Sequence, residues 1–171
     1  MSSTLNFDAV IERYSGEIFS YLWRILNGHE DAEDCLQEVF LRAYRAFNRL
    51  NQEANIRAWL YKIATNTSIS FRKKRIRRES QELYVDDDLA SPEPSPSDRT
   101  ESKERLRILM QAINNLPNRQ RSALMLRKYQ ELSYADISEI LSCSQESARA
   151  NVYQALKKLR SMVSEQLSSL E

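Results

Sequence analysis

Residues 31–47 read DAEDCLQEVFLRAYRAF, and the spacing inside them decides the fold. Ala32, Cys35, Leu36, Val39, Phe40, Ala43, Tyr44 and Phe47 recur at steps of three, one and three, which is the core stripe of an amphipathic helix. Glu30, Asp31, Glu33 and Asp34 crowd the start, where a helix N-terminus favours negative charge. Arg42, Arg45 and Arg49 suit the other end. The outer face is less ordinary, because Asp34, Gln37, Glu38 and Leu41 lie three and four apart and form one patch. An acidic turn, an amide and an exposed leucine would suit a basic partner surface. A plain solvated face reads the same way, since single exposed leucines are common.

Helical stripes continue on both sides. Phe7, Val10, Ile11, Tyr14, Ile18, Tyr21, Leu22 and Ile25 predict a helix over 6–26 that Asn27-Gly28 ends, with His29 in the turn that follows. Residues 48–55, NRLNQEAN, read as a polar loop. Ile56, Trp59, Leu60, Ile63, Ala64, Thr67 and Phe71 then predict a helix from Ile56 to about Arg78. Its other side is polar, with Arg57, Tyr61, Lys62, Thr65, Asn66, Ser68 and Ser70, and it runs into Arg72, Lys73, Lys74, Arg75, Arg77 and Arg78. Six cations in seven residues repel one another unless an anion is near, and a phosphate backbone is the usual one. Tyr61, with Trp59 as core or as a second platform, could stack an unpaired base. A solvated basic helix end is the plainer reading.

Charge divides the chain into blocks. Residues 1–79 hold 13 Lys and Arg against 10 Asp and Glu, residues 80–104 hold 2 against 8, and residues 105–171 hold 10 against 6. The middle block, with Pro92, Pro94 and Pro96 and the acids Asp86, Asp87 and Asp88, reads as an extended, mobile linker that buries no core. Beyond it, Leu106, Leu109, Met110, Ile113 and Leu116 predict a helix over 105–116. Pro117 opens another to Tyr129, with Ala123, Leu124, Leu126 and Tyr129 inward. Ser133 and Asp136 form a capping box at the head of a short helix over 134–141. Ser142-Cys143-Ser144 is a tight turn, and Ser144 caps a longer helix from Gln145 to about Met162, with Ala148, Val152, Leu156 and Leu159 inward. Short helix, three-residue turn and longer helix is the helix-turn-helix layout. Gln145, Glu146, Arg149, Ala150 and Tyr153 point outward at the front of the second helix, where Gln and Arg suit base edges and Ala a thymine methyl. Asn151, Gln154, Lys157, Lys158 and Arg160 suit phosphates. A helical hairpin that only packs is the competing reading.

The inventory excludes several classes. Two glycines leave no Gly-rich phosphate loop, and one histidine with two separated cysteines, Cys35 and Cys143, leaves no metal site and no cofactor. The cysteines read as buried thiols of a reducing, cytoplasmic compartment. Carboxylates are plentiful but form no acid/base pair, so no catalytic residue is expected. No apolar run is long enough to span a membrane, and MSSTLNFDAV lacks the pattern of a signal peptide.

Three segments together, DAEDCLQEVFLRAYRAF, IRAWLYKIATNTSISFRKKR and LPNRQRSALMLRKYQELSYADISEILSCSQESARANVYQALKKLR, resemble the extracytoplasmic-function sigma factors, the minimal two-domain class of bacterial sigma factors. The resemblance implies an all-α chain of two small helical domains. Residues 1–79 would be sigma domain 2, a three- or four-helix bundle, and residues 105–171 would be sigma domain 4, joined by the flexible acidic linker 80–104. It implies that Asp34, Gln37, Glu38 and Leu41 dock on the β′ coiled coil of core RNA polymerase. Arg57, Tyr61, Lys62, Thr65 and Asn66 would open the −10 element as single strand together with loop 48–55, and Arg72, Lys73, Lys74 and Arg75 would hold phosphates. Gln145, Glu146, Arg149, Ala150, Tyr153 and Lys157 would read duplex at −35, and domain 4 would touch the β flap. An anti-sigma protein, often membrane-bound in the family, would be held between domains that the linker lets close around it. Three departures stand out: Ser70 where relatives often carry an acid, Ser142 where the turn usually has glycine, and ESARANVYQAL in place of the commoner recognition-helix pattern. A free-standing helix-turn-helix regulator is the alternative, and it would have no use for the Asp34 patch.

Overall fold

The computed structural model describes residues 6–51, 53–82 and 101–169. All regular structure among them is helical: α1 (Phe7–Leu26), α2 (His29–Phe47), α3 (Ile56–Glu82), α4 (Glu101–Asn114), α5 (Asn118–Lys128), α6 (Tyr134–Leu141) and α7 (Gln145–Ser168). The chain is all-α as expected, and the helix ends follow local chemistry. The Asn6 side chain accepts from the Asp8 N–H at 3.1 Å to open α1, and Asn27, with φ 55°, closes it in the left-handed region that Asn tolerates. The expected turn at His29 is instead the first residue of α2, because Gly28 is extended and serves as the N-cap.

Two boundaries also move. α3 runs to Glu82 and α4 begins at Glu101, so both reach into the stretch expected to be linker. In the added turn of α3 the Ser80 hydroxyl donates to the Ile76 carbonyl, and Glu101 and Glu104 place acids in the first turn of α4. The Asp86 cluster and the three prolines lie outside the described residues.

The stripe of α1 buries Val10, Ile18, Tyr21, Leu22 and Ile25 against Ala32, Cys35, Val39 and Ala43 of α2 and Leu60 and Ala64 of α3. Tyr44 was expected inside but is 65% exposed, edge-on to Phe7 with ring centroids 5.4 Å apart. In the second unit Ile108 is buried, and Ala112, Ile113 and Leu116 of the α4 segment share a core with Leu124 and Leu126 of α5, Ile137 and Ile140 of α6, and Ala148, Val152, Ala155 and Leu159 of α7. Leu106 is exposed there, because it sits two residues, about 200°, round the helix from Ile108. Tyr129 is exposed too, since its ring lies under the Arg24 guanidinium, 4.8 Å away, rather than in the core.

The two units touch. α3 packs on α6 and α1 packs on α5. On this side Tyr61 and Arg72 bond to Gln130 and Asn114 of the second unit, and α3 buries Ala58, Tyr61, Thr65, Ser68 and Arg72, spaced three or four apart. They form a second stripe, mostly polar, beside the apolar one that faces α1 and α2. Mid-helix α3 is therefore enclosed on both sides.

Candidate nucleic-acid interface

The outward patch of α2 forms as the spacing predicts. Leu41 is half exposed and is a ridge between two open grooves. One, of about 440 Å³, runs between α2 and α3 and is lined by Asp34, Gln37, Glu38, Ser70, Phe71 and Lys74. The other, of about 460 Å³, is more apolar and is floored by Phe7, Ile11, Phe40 and Tyr44. Within the first groove Arg42 Nε donates to Glu38 Oε1 at 2.6 Å, an i,i+4 pair that holds the acid in place. The apolar groove, which continues the patch past Leu41, was hidden in the sequence because Phe7 and Phe40 belong to core stripes.

The −10 candidates divide into three groups. Lys62, Asn66, Lys73 and Lys74 are exposed on α3. Arg57 is held by Glu17: its Nη2 donates to Glu17 Oε2 at 2.8 Å and its Nε to both carboxylate oxygens, and that hydrogen bonding raises its pKa further. Arg75 donates to Asp31 Oδ2 at 2.9 Å and to the Leu26 carbonyl at 3.0 Å. Tyr61, Thr65 and Arg72 are buried at 0%, 2% and 9% exposed; Tyr61 bonds to Gln130 and Arg72 to Asn114 in the second unit, and Thr65 bonds to Tyr21 of α1. The expectation that these three face solvent therefore fails in this conformation. Periodicity marks a polar face, and here the polar face is a contact.

That contact is specific. The Tyr61 hydroxyl lies 2.8 Å from Glu17 Oε2 and 2.9 Å from Gln130 Oε1 and donates to them in turn, and burial pushes its pKa far up. Tyr21 meets Tyr61 edge to face at 5.3 Å, and its hydroxyl shares a 2.8 Å hydrogen bond with Thr65 Oγ1. Burial raises the Tyr21 pKa to about 12, against a hydrogen bond to Ser122 on α5 that lowers it. Arg72 donates to the carbonyls of Ile25 and Asn114, at 3.3 and 3.1 Å. Arg121 of α5, 1% exposed, donates to the carbonyls of Asn114 and Leu116, each at 3.0 Å. Burial, with Arg72 close by, brings the Arg121 pKa down to about 10. At the N-terminal end of α3, Asn55 Nδ2 donates to Asp136 Oδ1 at 3.1 Å. No sequence signal points to Arg121, Ser122, Asn114 or Gln130, because their role depends on where α3 lies.

The outer face of α7 is open. Gln145, Glu146, Arg149, Ala150, Tyr153 and Lys157 are all exposed, and Tyr153 is 62% so. Ser144 caps α7 by accepting from the Ser147 N–H at 3.1 Å. Ser133 accepts from the Asp136 N–H at 3.1 Å, and its hydroxyl donates to the Asp136 carboxylate, a variant of the expected capping box. Ser142 takes φ 51° and ψ 53°, so the turn residue that departs from glycine does sit in the left-handed region. The Tyr134 ring lies between the Arg127 and Arg149 guanidiniums, at 4.5 and 5.1 Å, which steadies Arg149 at the edge of the open face. Cys35 is buried, while Cys143, expected inside, is partly exposed in the turn.

Sigma-70 region 2 matches residues 10–78 and sigma-70 region 4 matches residues 106–159. The RNA polymerase sigma factor YlaC of Bacillus subtilis is 31% identical, with 91% of this chain and 90% of that protein covered. The chain belongs to the extracytoplasmic-function sigma factors. The ECF RNA polymerase sigma-E factor of Haemophilus influenzae is 29% identical, over 92% of this chain and 87% of the relative. The sigma factor RpoE of Bartonella quintana, solved in complex with the anti-sigma factor NepR, has the same fold. It matches with a TM-score of 0.68 at 22% identity, over 92% of this chain and 96% of that one. As a sigma factor the chain works with core RNA polymerase and promoter DNA to start transcription, and it is not itself an enzyme. No helix among the described residues is long and apolar enough to cross a membrane.

Proposed function

We propose that the helices of residues 1–79 act as sigma domain 2 and those of residues 105–171 as sigma domain 4, α3 and α4 carrying each domain a few residues into the stretch between. The observation that carries the −35 assignment is the open face of α7, which collects Gln145, Glu146, Arg149, Ala150, Tyr153 and Lys157 behind a helix-turn-helix turn. A helix presenting an arginine, an amide and a small apolar side chain at its N-terminal end suits base edges in a major groove. Asp34, Gln37, Glu38 and Leu41 form the polymerase contact, with Leu41 seated against the β′ coiled coil and the grooves on either side taking neighbouring side chains. The exposed Lys62, Asn66, Lys73 and Lys74 meet the −10 strand first, and Arg57, Tyr61, Thr65, Arg72 and Arg75 complete that surface when the second unit moves away. Domain 4 also meets the β flap. An anti-sigma partner fits the same two-unit design, and the cytoplasm, where polymerase works, is the compartment.

Run-off transcription with purified core polymerase on a pool of genomic promoter fragments tests the reading. Promoter-specific transcripts should appear only when this chain is added. Glu38→Lys should abolish them while leaving duplex binding through α7 intact. Unchanged transcription by Glu38→Lys would remove α2 from the polymerase contact.

A further inference from the structure

We propose that Tyr134 sets the selectivity of −35 reading: its ring holds the Arg149 guanidinium in one orientation, so that Arg149 reads a guanine in the major groove rather than a phosphate. The inference rests on the assignment of α7 to the −35 duplex and adds which residue makes Arg149 selective, and for which base.

Three elements meet at this ring. Tyr134 opens α6, Arg127 lies in the last turn of α5, and Arg149 lies at the front of α7. The ring is fixed before DNA arrives. Ser133 caps α6 directly ahead of it by accepting from the Asp136 N–H at 3.1 Å, and the ring itself packs partly buried against the core. The Arg127 guanidinium, 4.5 Å from the ring centroid, is tied by its Nη1 to the Leu132 carbonyl at 2.9 Å. Arg149 is the exposed member, 5.1 Å from the centroid, and among the described residues no carboxylate pairs with it. A carboxylate would occupy its N–H donors and cancel its charge. An aromatic ring attracts the cation without using those donors, so the fork stays available to an acceptor pair. Guanine O6 and N7 are the pair that a held fork matches.

Stability does not account for the second cation. Arg127 already lies over the ring, and a second guanidinium there meets its like charge. The electronegative edge of a guanine offsets that repulsion, and it is present only in the complex. Arginine is also a long side chain, and ordering it at the moment of binding opposes affinity through lost rotamer freedom. Tyr134 orders it in advance, in a direction that a flexible arginine would share with the neighbouring phosphates.

The test uses the full chain and a fluorescent duplex carrying the −35 element of a promoter mapped by run-off, with further duplexes in which each base pair is replaced in turn. Replacing the guanine read by Arg149 should weaken wild-type binding about ten- to a hundredfold. Tyr134→Ala should bring that ratio close to one, with discrimination at the other positions and affinity for a scrambled duplex unchanged. Tyr134→Phe should keep the wild-type ratio, because the ring face is what acts. In an Arg149→Ala background Tyr134→Ala should have no further effect on selectivity. If Tyr134→Ala fails to fold by circular dichroism, Tyr134→Leu, which fills the place without a π face, replaces it with the same expected result. An unchanged ratio overturns the proposal. So does a weakening that is equal at every base pair and persists in the Arg149→Ala background, which would make Tyr134 a part of the fold alone, and so does dependence of Arg149 on a base other than guanine. If neither Arg149→Ala nor Tyr153→Ala alters binding to the mapped duplex, α7 is not the reader, and the assignment beneath the proposal fails instead.

Discussion

The two helices proposed to read DNA stand in opposite states. On α7 the candidate side chains are open to solvent, with Tyr153 62% exposed. On α3 Tyr61, the same residue type offered to a base, is fully enclosed. Both helices carry polar outer faces in sequence, so polarity does not separate them. What does is position: α7 lies at the edge of its unit, whereas α3 lies between α1 and α2 on one side and α6 and the end of α4 on the other. A surface built to bind can be ready or covered, and only the second state ties its residues to folding stability.

The largest break in this comparison is expected from the two tyrosines themselves. Tyr61→Ala removes a fully buried ring packed on Tyr21 and should cost about 3–5 kcal/mol in urea denaturation. Tyr153→Ala should change stability by no more than about 0.5 kcal/mol and act on promoter binding alone. Equal stability effects would show that Tyr61 is not enclosed in solution. Next in size is Arg149→Ala, which should weaken duplex −35 binding by about 1–3 kcal/mol, with the loss concentrated at one base pair. A uniform loss across all sequences would recast Arg149 as a phosphate contact.

Much of the fold was legible beforehand. The stripes of α1, α2 and α7 named most of their buried residues, and the Ser133 and Ser144 caps fixed the start of α6 and of α7. The Asp34 patch and the α7 face were equally plain, since both lie opposite a clean apolar stripe. The second stripe of α3 was not legible. Ala58, Tyr61, Thr65, Ser68 and Arg72 carry the helical period but not the apolar character, and a polar stripe is read as solvated. Arg121 escaped for the same reason: an arginine is expected at the surface unless a specific set of carbonyls receives it, and that set is assembled by the fold.

Buried thiol chemistry gives a smaller effect that separates inside from outside again. Burial raises the Cys35 pKa from an ordinary 9.0 to about 12, so the unfolded chain loses that proton first as pH rises. Stability should therefore be unaffected by this group below pH 9 and fall by about 1.4 kcal/mol per pH unit between roughly pH 9 and 12. Above pH 10, Tyr21 adds a fall of its own while Arg121, whose pKa is lowered, acts in the opposite sense, so the thiol is best read between pH 9 and 10. Over that unit Cys35→Ala should flatten the curve. A thiol reagent at pH 8 should label the partly exposed Cys143 and leave Cys35 untouched until the chain unfolds.

The smallest expected effect lies in the turn ahead of the open reader. Ser142 closes α6 with φ 51°, and the Cys143 N–H bonds back to the Ser138 carbonyl at 2.9 Å, the pattern in which glycine is the usual residue. A side chain in the left-handed region is strained by its Cβ, while glycine there costs more chain entropy on folding, so the two effects partly cancel. Ser142→Gly should therefore stabilise by only about 0.5–1 kcal/mol, a rise in melting temperature of about 1–4 °C. Duplex affinity should stay the same, because Ser144 still caps α7 and Arg149 still lies against Tyr134. Should Ser142→Gly weaken promoter binding instead, the serine would be fixing the angle between α6 and α7, and the proposed reading face of α7 would depend on the geometry of its turn.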